Sequence, residues 1–195
     1  MKNIRIWFKK VGMARYISHL DLNRCMLRAI HRAKISLWYT QGYNPHPFIT
    51  FALPLSLGIG GERESMDLKL NDDDITREEI IERLNSGLPK DIKVLDVTKP
   101  VMKPREITYA YFIIKLNPEN LNADEIAMKI HQLFSSGSIV VQKHTKNGFI
   151  DLDLKPYLDK TEVSIKDGKI IISSMLPAGN DFNINPNLLC DSIKK

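Results

Sequence analysis

The side chains best suited to binding an anion lie in residues 15–22, whose sequence is RYISHLDL. Ser18 precedes an amphipathic stretch and Asp21 follows it three positions later, a pattern that predicts Ser18 as the N-cap of a helix. Free backbone N–H groups and the helix dipole favour an anion there, and Arg15 is placed to add a two-pronged phosphate contact. Two interpretations stay open for Ser18 and His19: capping and packing alone, or capping together with anion binding.

A second chemistry-bearing string, residues 39–47, has the sequence YTQGYNPHP. Its glycine and two prolines impose an irregular backbone. Amide and aromatic side chains on a stiff, irregular loop suit stacking and edge recognition of unpaired RNA bases. The RNA-binding candidates in this string are Tyr39, Gln41, Tyr43, Asn44 and His46. The alternative is a structural loop in which Gly, Asn and Pro only turn the chain.

Three arginines, Arg24, Arg28 and Arg32, recur at four-residue intervals between the two strings. This spacing predicts a stripe of guanidinium groups along one side of a helix. No Asp or Glu occurs between residues 22 and 61 to neutralise them, and the first 47 residues contain nine Lys and Arg against one Asp. Because the whole chain has a net charge of only +5, its positive charge is concentrated here. The pattern predicts contact with a polyanion, and a solvated helix face is the alternative.

The sequence predicts no metal site and no cofactor. The string HLD at residues 19–21 matches part of a facial iron triad, with His31 or His46 as a third ligand. Residues i and i+2 of a helix do not face one another, which disfavours this site. The two cysteines, Cys25 and Cys190, lie far apart in the chain. Their separation excludes a multi-bridge disulfide framework, a Cys-x-x-Cys zinc site and an iron–sulfur cluster held by this chain alone.

Hydrophobic periodicity predicts the elements that must position these residues. In the first half it predicts strands over residues 2–9, 37–40, 48–55, 65–70 and 93–97, a helix from Ser18 to about Ala33, and a helix from an Asp74 cap through Leu84. Pro54 predicts that the strand over 48–55 lies at a sheet edge or ends early. The GIGG string at 58–61 predicts a turn rather than a phosphate-binding loop. The resulting order of strands and helices is close to that of a ferredoxin-like fold.

Pro100 and Pro104 bracket a short basic stretch that is incompatible with a helix, and this predicts a domain boundary. We expect an α+β chain with a basic ferredoxin-like domain over residues 1–99 and a looser α+β domain over residues 105–195. The second domain is predicted to contain a strand over 107–116, a helix over 122–134, two hairpins that turn at Asn147-Gly148 and Asp167-Gly168, and a helix over 186–193.

The bulk properties of the chain predict a soluble protein. Its 195 residues are 43% hydrophobic, enough to bury a core. No run of about 18 apolar residues occurs, and the N-terminus alternates polar and apolar side chains instead of presenting a signal-peptide core. We therefore expect a cytoplasmic protein with no membrane partner.

The strings at residues 15–22 and 39–47, together with FALPL at 51–55, resemble the radical SAM-linked protein family, a bacterial domain of unknown function with the number 2344. The resemblance continues more weakly through residues 87–89 and 92–97. It implies a neighbourhood rather than a reaction, since members are fused to, or encoded beside, radical SAM proteins, often near genes for ribosomal proteins and a ribonuclease of the E/G type. It carries over no catalytic residue. Because this chain lacks three closely spaced cysteines, radical chemistry would belong to the partner.

Three hypotheses for the function follow. The first is a non-catalytic RNA-binding accessory protein that grips the RNA backbone through Arg15 and the arginine stripe, arranges unpaired bases at residues 39–46, and presents tRNA or ribosomal RNA to a radical SAM enzyme. The second is a small metal-independent enzyme acting on RNA or a phosphate compound, with His19, His46 and Tyr43 as acid, base or nucleophile. The third is a docking module whose basic segment meets an acidic surface of the radical SAM partner. The sequence favours a non-catalytic role.

Overall fold

The computed structural model describes residues 1–71, 74–119, 121–145, 148–179 and 181–194. The chain divides into two compact units, Met1–Glu106 and Ile107–Lys195, which we call the N-terminal and C-terminal units. Both contain helices packed on antiparallel strands, so the predicted α+β class is confirmed. Within the described ranges, no helix is long and apolar enough to cross a membrane.

The N-terminal unit is a four-stranded antiparallel sheet with two helices. Its elements are β1 (Lys2–Lys10), a short 3-10 helix (Gly12–Tyr16), α1 (His19–Arg32), β2 (Ile49–Phe51), β3 (Gly61–Leu70), α2 (Arg77–Gly87) and β4 (Ile92–Thr98). The strands lie side by side in the order β2-β3-β1-β4, and every neighbouring pair is antiparallel. This is the strand and helix order on which the ferredoxin-like interpretation rests.

The core of this unit lies between one face of the sheet and the two helices. Alternate residues of β1 are buried because side chains of a strand point to opposite faces in turn. On α1 the buried positions recur at the spacing of an amphipathic helix, which confirms the predicted apolar face. The central core residues are Ile4, Ile6 and Phe8 of β1, Leu22, Met26, Ala29 and Ile30 of α1, and Met66, Leu68 and Leu70 of β3.

Two predictions for the N-terminal unit are wrong in detail. Residues 37–40 form no regular strand but carry two isolated bridges to different partners, Leu37 to Leu70 of β3 and Tyr39 to Pro47. Thr76 rather than Asp74 caps α2, since its hydroxyl accepts the Glu79 N–H at 3.2 Å while Glu79 accepts the Thr76 N–H at 3.0 Å. This reciprocal capping box satisfies two N–H groups that would otherwise lack partners.

Other local predictions for this unit are confirmed. The strand predicted over 48–55 is the three-residue edge strand β2, which ends before Pro54. The glycine-rich string at 58–61 leads into β3 and is followed by no helix, so it lacks the strand-to-helix context of a phosphate loop.

The C-terminal unit contains a three-stranded sheet, a separate hairpin and two helices. Its elements are β5 (Tyr109–Leu116), α3 (Ala123–Phe134), β6 (Val140–Thr145), β7 (Gly148–Asp153), a short 3-10 helix (Lys155–Tyr157), β8 (Glu162–Lys166), β9 (Lys169–Pro177) and α4 (Pro186–Ile193). The sheet has the order β5-β9-β8, and β6 pairs with β7. The second predicted hairpin is confirmed, since Asp167 and Gly168 both have positive φ as a tight primed turn requires. The predicted turn residue Asn147 lies outside the described residues, although the strands that flank it do pair.

Candidate nucleic-acid interface

Ser18 is the N-cap of α1, as predicted. Its hydroxyl oxygen accepts the Asp21 N–H at 3.1 Å and also lies 2.7 Å from the Asp21 carboxylate. An acidic side chain therefore already occupies the first turn of the helix, where the dipole favours negative charge. Arg15 is exposed just before this turn, with its guanidinium 4.8 Å from the centre of the Tyr16 ring. Anion binding at the helix start stays a prediction. A bound anion would have to compete with the Asp21 carboxylate for this position.

His19 faces the interior of the N-terminal unit rather than the solvent-exposed side of α1. Its ring meets the Phe51 ring edge-on, with 5.1 Å between centroids. Its Nδ1 atom is buried and has no hydrogen-bond partner among the described residues. Burial lowers the pKa of His19, and the positive charge of Lys10 lowers it further. His19 is therefore a neutral, core-facing group near neutral pH and does not lie on a basic surface.

Arg24, Arg28 and Arg32 are exposed along α1 and line a groove of about 510 Å³, which we call the arginine groove. Its other wall is the last turn of α2 and the residues that follow it. The full lining is Asp21, Arg24, Cys25, Arg28, Arg32, Ser86, Gly87, Leu88 and Pro89. Burial raises the pKa of the Cys25 thiol, whereas the positive charges of Arg32 and Arg28 act to lower it.

The three groove arginines differ in how strongly protein partners fix their guanidinium groups. Arg32 donates a hydrogen bond to the Gly87 carbonyl at 2.7 Å. Arg24 has only a 3.4 Å contact with Asp21, in which both side chains are more than half exposed. Arg28 has no hydrogen bond or ion pair within the part of the chain that the structure describes. Since exposed ion pairs contribute little, two of the three guanidinium groups are available to a ligand.

Residues 41–46 form the tip of a loop that is closed by Thr40 and His46, and we call them the tip loop. The Thr40 N–H donates to the His46 carbonyl at 2.9 Å, and the His46 N–H donates to the Thr40 hydroxyl at 3.1 Å. The His46 Nδ1 atom lies 3.1 Å from that hydroxyl and 3.2 Å from the Asn44 carbonyl oxygen. His46 thus stabilises the loop, while Tyr43 at its tip is fully exposed.

The base of the tip loop contacts α1 at His31, beside the arginine stripe. The Tyr39 hydroxyl lies 3.4 Å from His31 Nε2, and His31 lies three residues after Arg28 and seven after Arg24, which places it on the same face of α1. All of these side chains are exposed. The structure therefore brings Arg24, Arg28 and Arg32 to the same side of the N-terminal unit as the base of the tip loop.

His19 and the tip loop lie near opposite ends of α1. With a rise of about 1.5 Å per residue, His19 and His31 are separated by about 18 Å along the helix axis. His31 contacts the base of the tip loop, whereas His19 contacts Phe51 at the far end of β2. An enzyme that used His19, Tyr43 and His46 on one substrate atom would need these groups to converge, and this arrangement does not supply that convergence.

Sequence reasoning missed an aromatic pair beside the tip loop. The rings of Trp38 and Phe48 meet with 6.4 Å between centroids, and the Lys69 ammonium lies 4.1 Å from the centre of the Trp38 ring. Phe48 is exposed and Trp38 is half-buried. The sequence could have indicated this pair, because Trp38 and Phe48 directly flank residues 39–47.

It also missed a polar cluster around the buried Lys10, whose charge shifts the pKa of both His19 and Glu64. Lys10 is fully buried, and its Nζ atom has no hydrogen-bond partner among described residues. The Oδ1 atom of Asn23, on α1, is also buried without a hydrogen-bond partner among them. Burial raises the pKa of Glu64 to about 7, although the charge of Lys10 acts to lower it. Lys10 therefore does not contribute to a basic surface. The sequence could have indicated the burial of Lys10, because this residue continues the alternating row of buried side chains on β1.

Gly61 makes room for the Glu64 side chain in this cluster. A Cβ atom at position 61 would collide with the side chain of Glu64, which folds back over the start of β3. Because the atoms in the way belong to the flexible end of the Glu64 side chain, glycine at position 61 leaves room for this conformation of Glu64 and is not demanded by the backbone.

No group of three or more His, Cys, Asp or Glu residues in the described ranges is arranged to hold a metal ion.

A family model described as an uncharacterized protein conserved in bacteria, domain of unknown function 2344, matches residues 3–186. The match covers nearly all of both compact units. No curated protein matches the chain.

Proposed function

This chain belongs to the bacterial family of domain of unknown function 2344, and we propose that it is an RNA-binding accessory protein. The observation that carries the proposal is the His31–Tyr39 contact, which brings the base of the tip loop to the face of α1 that carries Arg24 and Arg28. One part of this surface suits phosphates, and the other suits unpaired bases.

The arginine groove supports contact with the RNA backbone. Guanidinium groups form paired hydrogen bonds with phosphate oxygens, and Arg28 has no competing partner among described residues. Successive arginines four residues apart are separated by about 6 Å along a helix, so they can follow a chain of phosphates instead of crowding one. Such contacts position RNA without selecting its sequence.

The tip loop and its neighbours support contact with unpaired bases. Tyr43 is fully exposed, and Tyr39 and Phe48 are exposed in part. The Trp38 ring packs against the Lys69 ammonium, a cation–π contact. Stacking of a base on an aromatic ring contributes about 1–3 kcal/mol and tolerates any base. The Gln41 and Asn44 amides, both exposed, add donors and acceptors for base edges.

A radical SAM enzyme is the proposed partner, with tRNA or ribosomal RNA as the proposed substrate. The support is the resemblance of residues 15–55 to the radical SAM-linked proteins. The chain has only two cysteines, so a cluster held by three cysteines would have to come from the partner. In this proposal the present chain holds the RNA and the enzyme performs the chemistry.

The salt dependence of RNA binding tests the proposal. We expect the logarithm of the association constant to fall linearly with the logarithm of salt concentration, with a slope of about −0.7 for each phosphate neutralised on a single strand. Arg28→Ala should make this slope shallower by about 0.7. Arg105→Ala is the matched control, because Arg105 is an exposed arginine away from the groove lining. A flat salt response, or no RNA binding at low salt, would contradict the proposal.

A further inference from the structure

Three basic side chains lie on adjacent strands of the N-terminal sheet, on the face that points away from α1 and α2. Lys93 of β4 pairs in register with Lys9 of β1, and both alternate with buried core residues. Arg63 lies on β3, the other neighbour of β1, and contacts Trp7 on this face. We call Lys93, Lys9 and Arg63 the basic row. Because neighbouring strands lie about 4.8 Å apart, Lys9 and Lys93 can approach one phosphate together.

The charges of the basic row have no protein partners. Lys9 and Lys93 face each other across an antiparallel pair, an arrangement in which like charges are destabilising. Among the residues that the structure describes, none of the three side chains has a hydrogen bond or an ion pair. Lys93 and Arg63 are exposed and Lys9 is half-buried, so an anion from solution can reach them. A bound anion would relieve the repulsion between the two lysines.

Two carboxylates of the same sheet are already engaged elsewhere. Asp67 of β3 is paired with Arg5 at 2.6 Å, and Asp96 of β4 is paired with Arg77 at 2.6 Å. These two carboxylates therefore do not neutralise the basic row. The uncompensated positive charge fits a polyanion.

Trp7 provides an aromatic surface beside the basic row. Its side chain lies on the same face as that of Lys9, two residues further along β1. The Trp7 Nε1–H donates to Thr98 Oγ1 at 3.0 Å, which fixes the ring, and the Arg63 guanidinium lies 4.8 Å from the ring centre. Unpaired bases stack on aromatic rings and on guanidinium planes, and the Trp7–Arg63 pair supplies both. Groups that bind phosphate and a surface that suits stacking thus lie side by side.

We propose that this part of the sheet is a second contact surface for single-stranded RNA. Lys9 and Lys93 bind a phosphate, and a base stacks on the Trp7–Arg63 pair. The inference rests on the proposed RNA-binding function and adds a surface on the side of the sheet opposite to the arginine stripe. An acidic protein surface would use the lysines but would leave the stacking pair without a role.

The fluorescence of Trp7 tests the inference. The chain has two tryptophans, so Trp38→Phe leaves Trp7 as the only one. Titration of this variant with octauridylate should quench the Trp7 emission, because a base stacks at the ring. The midpoint should match that of RNA binding measured by the anisotropy of labelled octauridylate. Binding of RNA with unchanged Trp7 emission would overturn the inference and leave the proposed function standing.

The double substitution Lys9→Glu and Lys93→Glu tests the basic row. Affinity for octauridylate should fall more than tenfold, because attraction becomes repulsion. The variant keeps a like-charged pair between β1 and β4, so it should retain the fold, which circular dichroism checks.

The charge-matched control is Lys129→Glu with Lys166→Glu, at two exposed lysines of the C-terminal unit. This control should retain most of the affinity. Equal RNA affinities of the two double variants would overturn the inference alone. Failure of the parent protein to bind octauridylate at low salt would overturn the proposed function and the inference together.

Discussion

Lys10 and Glu64 end the core-facing rows of two neighbouring strands, β1 and β3, and each charge shifts the pKa of the other. Lys10 follows Ile4, Ile6 and Phe8 in its row. Their attraction does not compensate for burial, because burial still lowers the pKa of Lys10 and raises that of Glu64 to about 7. The pair is therefore a source of pH-dependent stability within the N-terminal unit.

Glu64→Gln should stabilise the protein above pH 7. Between the ordinary carboxyl pKa of 4.5 and the folded pKa of about 7, the folded state binds more protons than the unfolded state. The free energy of unfolding therefore falls as pH rises through this window. We expect Glu64→Gln to flatten this fall and to raise the free energy of unfolding at pH 8 by roughly 2 kcal/mol, as measured by urea denaturation across pH. Glu62→Gln, at an exposed position of the same strand, should leave the profile unchanged. A steeper fall in the Glu64 variant would refute this account.

Lys10→Met should raise the pKa of both His19 and Glu64. Burial, the larger cause, would still hold the pKa of His19 down, but the repulsion from Lys10 would be gone. The attraction that now lowers the pKa of Glu64 would also be lost. Because methionine fills similar space without a buried charge, and because Glu64 takes up a proton as its pKa rises, we expect about 1 kcal/mol of added stability at pH 7. NMR titration of the His19 ring and urea denaturation measure these effects.

Lys9→Met is the control for this substitution. Lys9 is the next residue of β1, and its side chain points to the opposite face of the sheet. It should leave the pKa of His19 where it is in the parent protein. An unchanged His19 titration in the Lys10 variant would show that the two groups are not coupled.

The double substitution Arg24→Glu and Arg28→Glu should separate RNA binding from protein docking. Both side chains are exposed, so the melting temperature should change little, while RNA affinity should fall more than tenfold because attraction becomes repulsion. Arg105→Glu is the charge-matched control. If the parent protein captures the radical SAM enzyme but has no RNA affinity, and the double variant loses that capture, the surface is a docking site for the enzyme instead.

Tyr43→Ala should weaken binding of single-stranded RNA without affecting stability. Its ring is fully exposed, so the free energy of unfolding should change by less than about 0.5 kcal/mol. Loss of one stacking platform should cost about 1–3 kcal/mol of binding free energy, measured by fluorescence anisotropy, and Tyr43→Phe should retain most of it. Tyr109→Ala, an exposed tyrosine of the C-terminal unit, is the control. Equal affinities of the parent and Tyr43→Ala proteins would exclude a stacking role for Tyr43.

The sequence alone predicted features that depend on neighbours within a few positions. The Ser18 cap, the apolar face of α1, the early end of β2 before Pro54 and the turn at Asp167-Gly168 are all confirmed. Each is set by local backbone geometry or by the period of a helix or strand. The misassigned cap of α2 was also local, and the Thr76–Glu79 pattern would have identified it.

Only the tertiary structure decided which side of each element faces the core and which distant groups meet there. Lys10 belongs by composition to a basic segment, but its row on β1 runs beneath α1, where Glu64 and His19 become its neighbours. His19 and His46 were equivalent candidates in the sequence, and the length of α1 separates them. The groove exists because the turn after α2 packs beside the arginine stripe. Periodicity determined which residues share a face, whereas the electrostatics of each site depend on contacts between residues far apart in the chain.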